Sequence, residues 1–137
     1  MNNILKLLLE EANKAFKEGE LPIAAVVVKN NKIISKAHNR RHNNKNILDH
    51  AEIIAIKKAS RKQKDWRLDD CELFVTLEPC NMCKEVIKQS RIRKTYYICN
   101  SKFQINDDNF EFLKINNIEQ IEGELTNKLK LFFANKR

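Results

Sequence analysis

The sequence predicts one α/β domain of 137 residues, with about five strands forming a mixed sheet and helices between them. Three observations carry this. Residues 23–28 are an unbroken apolar run rich in Val, as expected of a strand buried on both faces. Residues 2–17 repeat their apolar side chains at helical spacing. Between residues 72 and 99 a strand, a helix and a strand follow one another with short connections, which implies a right-handed parallel crossover.

Taken in order, Ile4, Leu5, Leu8, Leu9, Ala12, Ala15 and Phe16 line one face of the first helix, and Gly19 offers a stop. Asn30 and Asn31 can adopt the left-handed backbone of a tight hairpin, so residues 32–37 return as a second, more exposed strand. Residues 38–46 are polar and read as a loop. Asp49 is the expected N-cap of a helix over 50–62, which is apolar around much of its circumference and so largely buried. Residues 72–77 form a third strand with Leu73, Val75 and Leu77 on one face. A helix over 80–90 and a strand over 95–99 follow. After a polar loop over 100–109, a short helix near 108–116 and a short strand near 118–121 are expected. A last helix runs to about residue 135, with Leu125, Leu129, Phe132 and Phe133 on one face.

Lys and Arg number 26 against 18 Asp and Glu, a formal net charge of +8. Such a balance favours an anionic partner, nucleic acid ahead of a membrane surface. No apolar run is long enough to cross a bilayer, and the apolar stretch over 4–9 is too short for a secretory leader and is broken by Lys6. The expected compartment is the reducing cytoplasm, where Cys together with His reads as metal-binding or catalytic before it reads as disulfide. Of the four cysteines, Cys71 and Cys99 lie in strand-like runs and suit small core residues.

The chemistry lies in two short stretches. Residues 49–52 contain His50 and Glu52, and residues 76–83 contain Pro79, Cys80 and Cys83. A catalytic zinc takes three protein ligands and leaves a fourth position for water. His50 offers a ring nitrogen, and Cys80 and Cys83, one helical turn apart, offer two sulfurs. Pro79 precedes them, where a helix is set to begin. A helix N-terminus stabilises thiolates. Two residues along a helix point roughly 200° apart. Glu52 is therefore placed beside the attacking water, as the acid and base, and not on the metal.

Together these stretches read as H-x-E followed by P-C-x-x-C, and the chain resembles the cytidine deaminase-like superfamily, most of all the bacterial tRNA-specific adenosine deaminases. The likeness covers nearly the whole chain. It includes residues 19–26, Asn39 within 37–40, His50-Ala51-Glu52, residues 73–83, Ser90-Arg91-Ile92, and Phe132-Phe133 near a basic C-terminus. The resemblance implies a three-layer α/β/α fold and a homodimer with active sites near the interface. It also implies hydrolytic deamination of adenosine to inosine at the tRNA wobble position, with one Zn2+ per chain. Carried over by position, His50, Cys80 and Cys83 hold zinc, and Glu52 moves protons. Asn39 hydrogen-bonds the extruded nucleoside, the backbone of Ala51 and the segment Leu77-Glu78 line its pocket, and Phe132-Phe133 help hold the anticodon loop.

Two departures set out the alternatives. The family has Gly where Ala24 stands, and an Asp in a Gly-rich loop where this chain has residues 99–103, Cys-Asn-Ser-Lys-Phe. The changed loop motivates a deaminase acting on a free base or nucleotide, such as guanine, cytosine or deoxycytidylate. A third reading is a zinc-stabilised RNA-binding module without catalysis, in which Cys71 or Cys99 supplies a fourth ligand. The basic residues at 40–41, 57–64 and 84–94 are expected to gather near the site, partly as solvated helix faces.

Overall fold

The computed structural model describes residues 2–101 and 110–135, the last four of these as backbone alone. Its elements are α1 (Asn2–Lys17), β1 (Ala24–Lys29), β2 (Lys32–His38), α2 (Ala51–Gln63), β3 (Cys71–Leu77), α3 (Asn81–Gln89), β4 (Lys94–Cys99), β5 (Glu111–Lys114) and α4 (Glu119–Asn135). The strands form one mixed sheet in the order β2-β1-β3-β4-β5. β1 runs antiparallel to both β2 and β3, whereas β3, β4 and β5 run parallel.

Strand alternation builds the two faces. Ala24, Val26 and Val28 of β1 point to one side, where they pack with Leu5, Leu8 and Ala12 of α1, Phe74 of β3 and Leu125 of α4. Ala25 and Val27 point to the other, among Ala51, Ala55, Ile56 and Ala59 of α2 and Ile87 of α3. The sheet is thus sandwiched between an α1/α4 layer and an α2/α3 layer, and β1 is buried on both faces because it lies inside both cores. The hairpin between β1 and β2 turns on Asn30 and Asn31, whose φ angles of 50° and 63° are the left-handed values a two-residue turn needs. Gly19, at φ 79°, lets the chain leave α1.

The segment after β4 departs from the sequence reading. The expected short helix near 108–116 is replaced, over its described part, by the strand β5, and residues 118–121 belong to the start of α4 and not to a strand. The physical reason is the open edge of β4. It offers a parallel ladder to residues 111–114, so that Phe112 turns inward to the core while Glu111 and Leu113 face out. Asn117, at φ 61°, separates strand from helix.

Candidate active site

β3 hands the chain directly to the N-terminus of α3, and the N-terminus of α2 lies beside it. Both helices begin on a potential metal ligand. His50 is the N-cap of α2 (φ −72°, ψ 151°) and Cys80 the N-cap of α3 (φ −70°, ψ 171°), each in extended backbone. Neither side chain caps its own helix. Both are left to turn toward a common point. Asp49, the expected cap, stands one residue too early. Its carboxylate instead accepts from Asn44 Nδ2 at 2.8 Å and Lys57 Nζ at 3.4 Å.

His50 Nδ1 lies 3.9 Å from Cys80 Sγ and 3.4 Å from Cys83 Sγ. The three donor atoms all fall within 4.8 Å of one another. Zinc bonds of about 2.3 Å to sulfur and about 2.0 Å to nitrogen set tetrahedral ligands roughly 3.5–4 Å apart. The donor set and its spacing therefore fit one ion. Cys71 and Cys99 are free and buried, but neither joins this group. Cys71 sits at the far end of β3 beside Asp70, and Cys99 faces Thr126 and the Glu122 carbonyl of α4. Among the described residues no fourth protein ligand closes the site.

The electrostatics match these contacts. Hydrogen bonds from the Cys83 thiol and the His50 ring bring Cys80 down to about 3, against the opposing effect of burial. Cys83 moves the other way, through the adjacent Cys80 sulfur and burial. The His50 ring is raised by its Cys80 partner despite burial. Glu52, in the first turn of α2, is only 4% exposed, and burial raises its carboxyl above the usual range. Its Oε1 is buried with no partner among the described residues. A buried acceptor without a donor is costly unless something outside the fold supplies one.

His50, Glu52 and Cys80 face a cleft of about 180 Å³. Leu21, Ile23 and Leu77 give it apolar walls, and Glu78 and Ser101 complete it. Drug-sized pockets hold roughly 300–1,000 Å³, so this one suits a single flat ring. Leu77 and Glu78 line this cleft. The Ala51 side chain packs in the core, which leaves only its backbone for the cleft. Ala24 packs in the α1 layer, away from the cleft. Asn39 is 2% exposed and lies next to the cleft. Its N–H donates to the Ile23 carbonyl at 2.9 Å, and its Nδ2 to Glu20 Oε1 at 3.4 Å. Phe132 and Phe133 fall on the last turns of α4, and their side chains lie outside the described residues, as do residues 102–109 of the loop after β4.

Two charged residues carry weight that the sequence reading missed. Glu20 is fully buried and gathers the loop after β2, accepting from the N–H groups of His42 (3.1 Å) and Asn43 (2.6 Å) and from Asn43 Nδ2 (2.6 Å). Burial pushes its carboxyl up, but these hydrogen bonds outweigh it and hold it below its ordinary value. Lys84, grouped by sequence with the surface cations, is 2% exposed and pairs with Glu78. Among the described residues no Lys or Arg lines the cleft itself, but Arg40, Lys57, Lys58 and Arg61 gather around a second hollow that includes Asp49. Arg91 stacks on Trp66, beyond the C-terminal end of α2, and Arg40 also pairs with Glu18.

A profile of the MafB19-like deaminases matches residues 1–137. The tRNA-specific adenosine deaminase of Aquifex aeolicus is 48% identical over 93 residues, 68% of this chain and 62% of that protein. The match thus spans less than two thirds of that relative's length. The enzyme of the same name from Streptococcus pyogenes is 36% identical over 138 residues, 94% of this chain and 87% of that protein. A solved structure from work on A-to-I editing by tRNA:A34 deaminases superposes with a TM-score of 0.76 at 29% identity, covering 83% of this chain and 98% of that one. The P-C-x-x-C turn, the H-x-E cap and the layered sheet therefore have the same source: the chain belongs to the MafB19-like deaminases and to the tRNA-specific adenosine deaminase family.

Proposed function

We propose that the chain is a single zinc-dependent deaminase domain that converts adenosine to inosine at the wobble position of tRNA, acting as a cytoplasmic homodimer. The observation that carries the reading is the meeting of His50, Cys80 and Cys83 at a cleft that also holds Glu52, whose Oε1 has no partner among the described residues. The net charge of +8 and the names of the relatives favour an RNA substrate over a free base.

In this reading His50, Cys80 and Cys83 hold the metal. When bound, zinc supplies the positive charge that makes water a nucleophile near neutral pH. Leu21, Ile23 and Leu77 enclose the extruded adenine and keep bulk water from its face. Asn39, its amide oriented by Glu20, hydrogen-bonds the nucleoside. Glu52 takes a proton from the water attacking C6 and delivers it to N1 of the ring. It then carries the remaining water proton to the departing amino group, which leaves as ammonia. Its raised carboxyl suits both halves of this shuttle. Phe132 and Phe133 meet the anticodon loop, where an unpaired base costs least to extrude.

The test is to incubate the zinc-loaded protein with an anticodon stem-loop bearing a wobble adenosine and to measure inosine by mass spectrometry. Inosine from the stem-loop, with no turnover of free guanine, cytosine or deoxycytidylate, is the expected result. No inosine from a folded, zinc-loaded protein overturns the reading.

A further inference from the structure

We propose that Lys84 is a positioning residue for substrate: through Glu78 it fixes the Ser101 backbone and so sets one wall of the cleft. The inference rests on the deaminase reading of that cleft and extends it to a residue with no part in metal or proton chemistry.

Lys84 and Glu78 form an ion pair at 3.2 Å, with side chains only 3% and 5% exposed. A buried pair is weak as a source of stability, because desolvating two charges offsets much of their attraction. Its value here is geometric. Glu78 stands in the turn between β3 and α3, and its N–H donates to the Cys99 carbonyl at 2.8 Å. Its Oε2 accepts from Lys84, while its Oε1 accepts from the Ser101 N–H at 3.1 Å. The Lys84 ammonium also lies 5.1 Å from the Phe112 ring centroid in β5. One cation on α3 therefore ties together the turn that carries Cys80, the chain leaving β4, and the edge strand.

Both Glu78 and Ser101 line the cleft. Holding Oε2 on α3 aims Oε1 at Ser101, and this spacing sets the width available to the base. The donor cluster and Glu52 are held by the backbone of the α2 and α3 N-termini, where the Lys84 N–H donates to the Cys80 carbonyl at 2.9 Å, a bond that a change of side chain leaves in place. A loosened wall removes contacts that are equal in the ground and transition states, so it raises KM and leaves kcat nearly unchanged.

The experiment compares wild type, Lys84→Met, Lys84→Arg and Glu78→Gln, each with zinc content measured. The proposal requires K84M to keep one zinc per chain and kcat within about twofold, while KM for the stem-loop rises about tenfold, the scale of one charge-assisted hydrogen bond. K84R, which restores the cation, returns KM toward wild type. Ser101 amide exchange, read by NMR without substrate, speeds up in K84M. A folded K84M with unchanged KM and unchanged Ser101 exchange overturns the proposal, as does a fall in kcat at constant KM. Should K84M fail to fold, E78Q carries the same test. It keeps the volume, weakens the hold on Ser101, and must move both readouts in the same direction; unchanged values overturn the proposal. If wild type makes no inosine yet Ser101 exchange responds to K84M, the substrate assignment fails and the positioning role of Lys84 stands.

Discussion

Glu52→Gln separates proton transfer from metal binding and from folding. Glutamine keeps the size of the side chain in its buried place in the first turn of α2. The side-chain partner of the carboxylate is the Cys83 thiol, which an amide oxygen can also meet, and the burial that raises the carboxyl penalises an amide less. Thermal stability should therefore hold or rise slightly. Zinc content should stay at one per chain, because the three donor atoms are elsewhere. Turnover should fall by ~100-fold or more, the usual scale for removing a general acid–base, which is about 2.7 kcal/mol of barrier at 1.36 kcal/mol per tenfold. The assay is single-turnover inosine formation at saturating stem-loop, with zinc measured on the same sample. Turnover within about threefold of wild type would show that another group moves the proton, and loss of zinc would show that Glu52 is a ligand.

Other outcomes follow from the same contacts. Cys80→Ala should lower zinc to well below one per chain, while Cys99→Ala leaves it at one; a drop in the second would make Cys99 a ligand. Glu20→Ala strips the acceptor from the N–H groups of His42 and Asn43 and from Asn39, and should cost about 3 kcal/mol by denaturant unfolding, given roughly 1.5–3 kcal/mol per hydrogen bond to a charged group and partial rescue by water. Glu20 also imposes a pH dependence. Its folded carboxyl lies below the ordinary value of 4.5, so the stability it adds is fully present above that value and is lost as pH falls through the lower folded one. Wild type should lose more stability than Glu20→Gln on acidification below about 4.5, and parallel curves would refute the assignment. Leu8→Ala, at a side chain with no exposure between α1 and β1, should cost roughly 3–5 kcal/mol.

The site was legible because its chemistry is local. His50 and Glu52 are two residues apart, Cys80 and Cys83 one turn apart, and each pair sits where a strand or loop meets a helix. The hairpin was legible for the same reason, since two Asn residues in succession select the turn. What was not legible depended on distant partners. Residues 110–121 carry apolar side chains at 110, 112, 113, 115, 118 and 121, a spacing that mixes the strand and helix periods until β4 presents its edge. Glu20 reads as one more surface acid; nothing nearby tells that a loop more than twenty residues later brings three donors to it. Lys84 reads as part of a basic helix face, and only the fold puts Glu78 within reach. Asp49 is the better cap by preference, yet the helix begins on His50, and the Asp49 carboxylate is taken up by Asn44 and Lys57.

That last exchange has a measurable consequence. Helix N-caps favour Ser, Thr, Asp and Asn, whose side-chain oxygen satisfies a first-turn N–H, and losing such a cap costs about 1 kcal/mol. Here both caps are potential metal donors in cap-compatible backbone, and neither makes that bond. The fold therefore forgoes two capping hydrogen bonds where an imidazole and a sulfur turn to one point. In the presence of chelator, Cys80→Ser gains a cap of about 1 kcal/mol but gives up the hydrogen bonds from the Cys83 thiol and the His50 ring that hold Cys80 low, so it should melt no higher than wild type. With zinc added, the gap should widen, because wild type gains binding energy that the variant has lost. Scanning calorimetry of both proteins, with chelator and with zinc, reads all four values. A chelated Cys80→Ser that melts above chelated wild type would mean that the cap outweighs those hydrogen bonds, and that the sulfur costs the fold stability at that position.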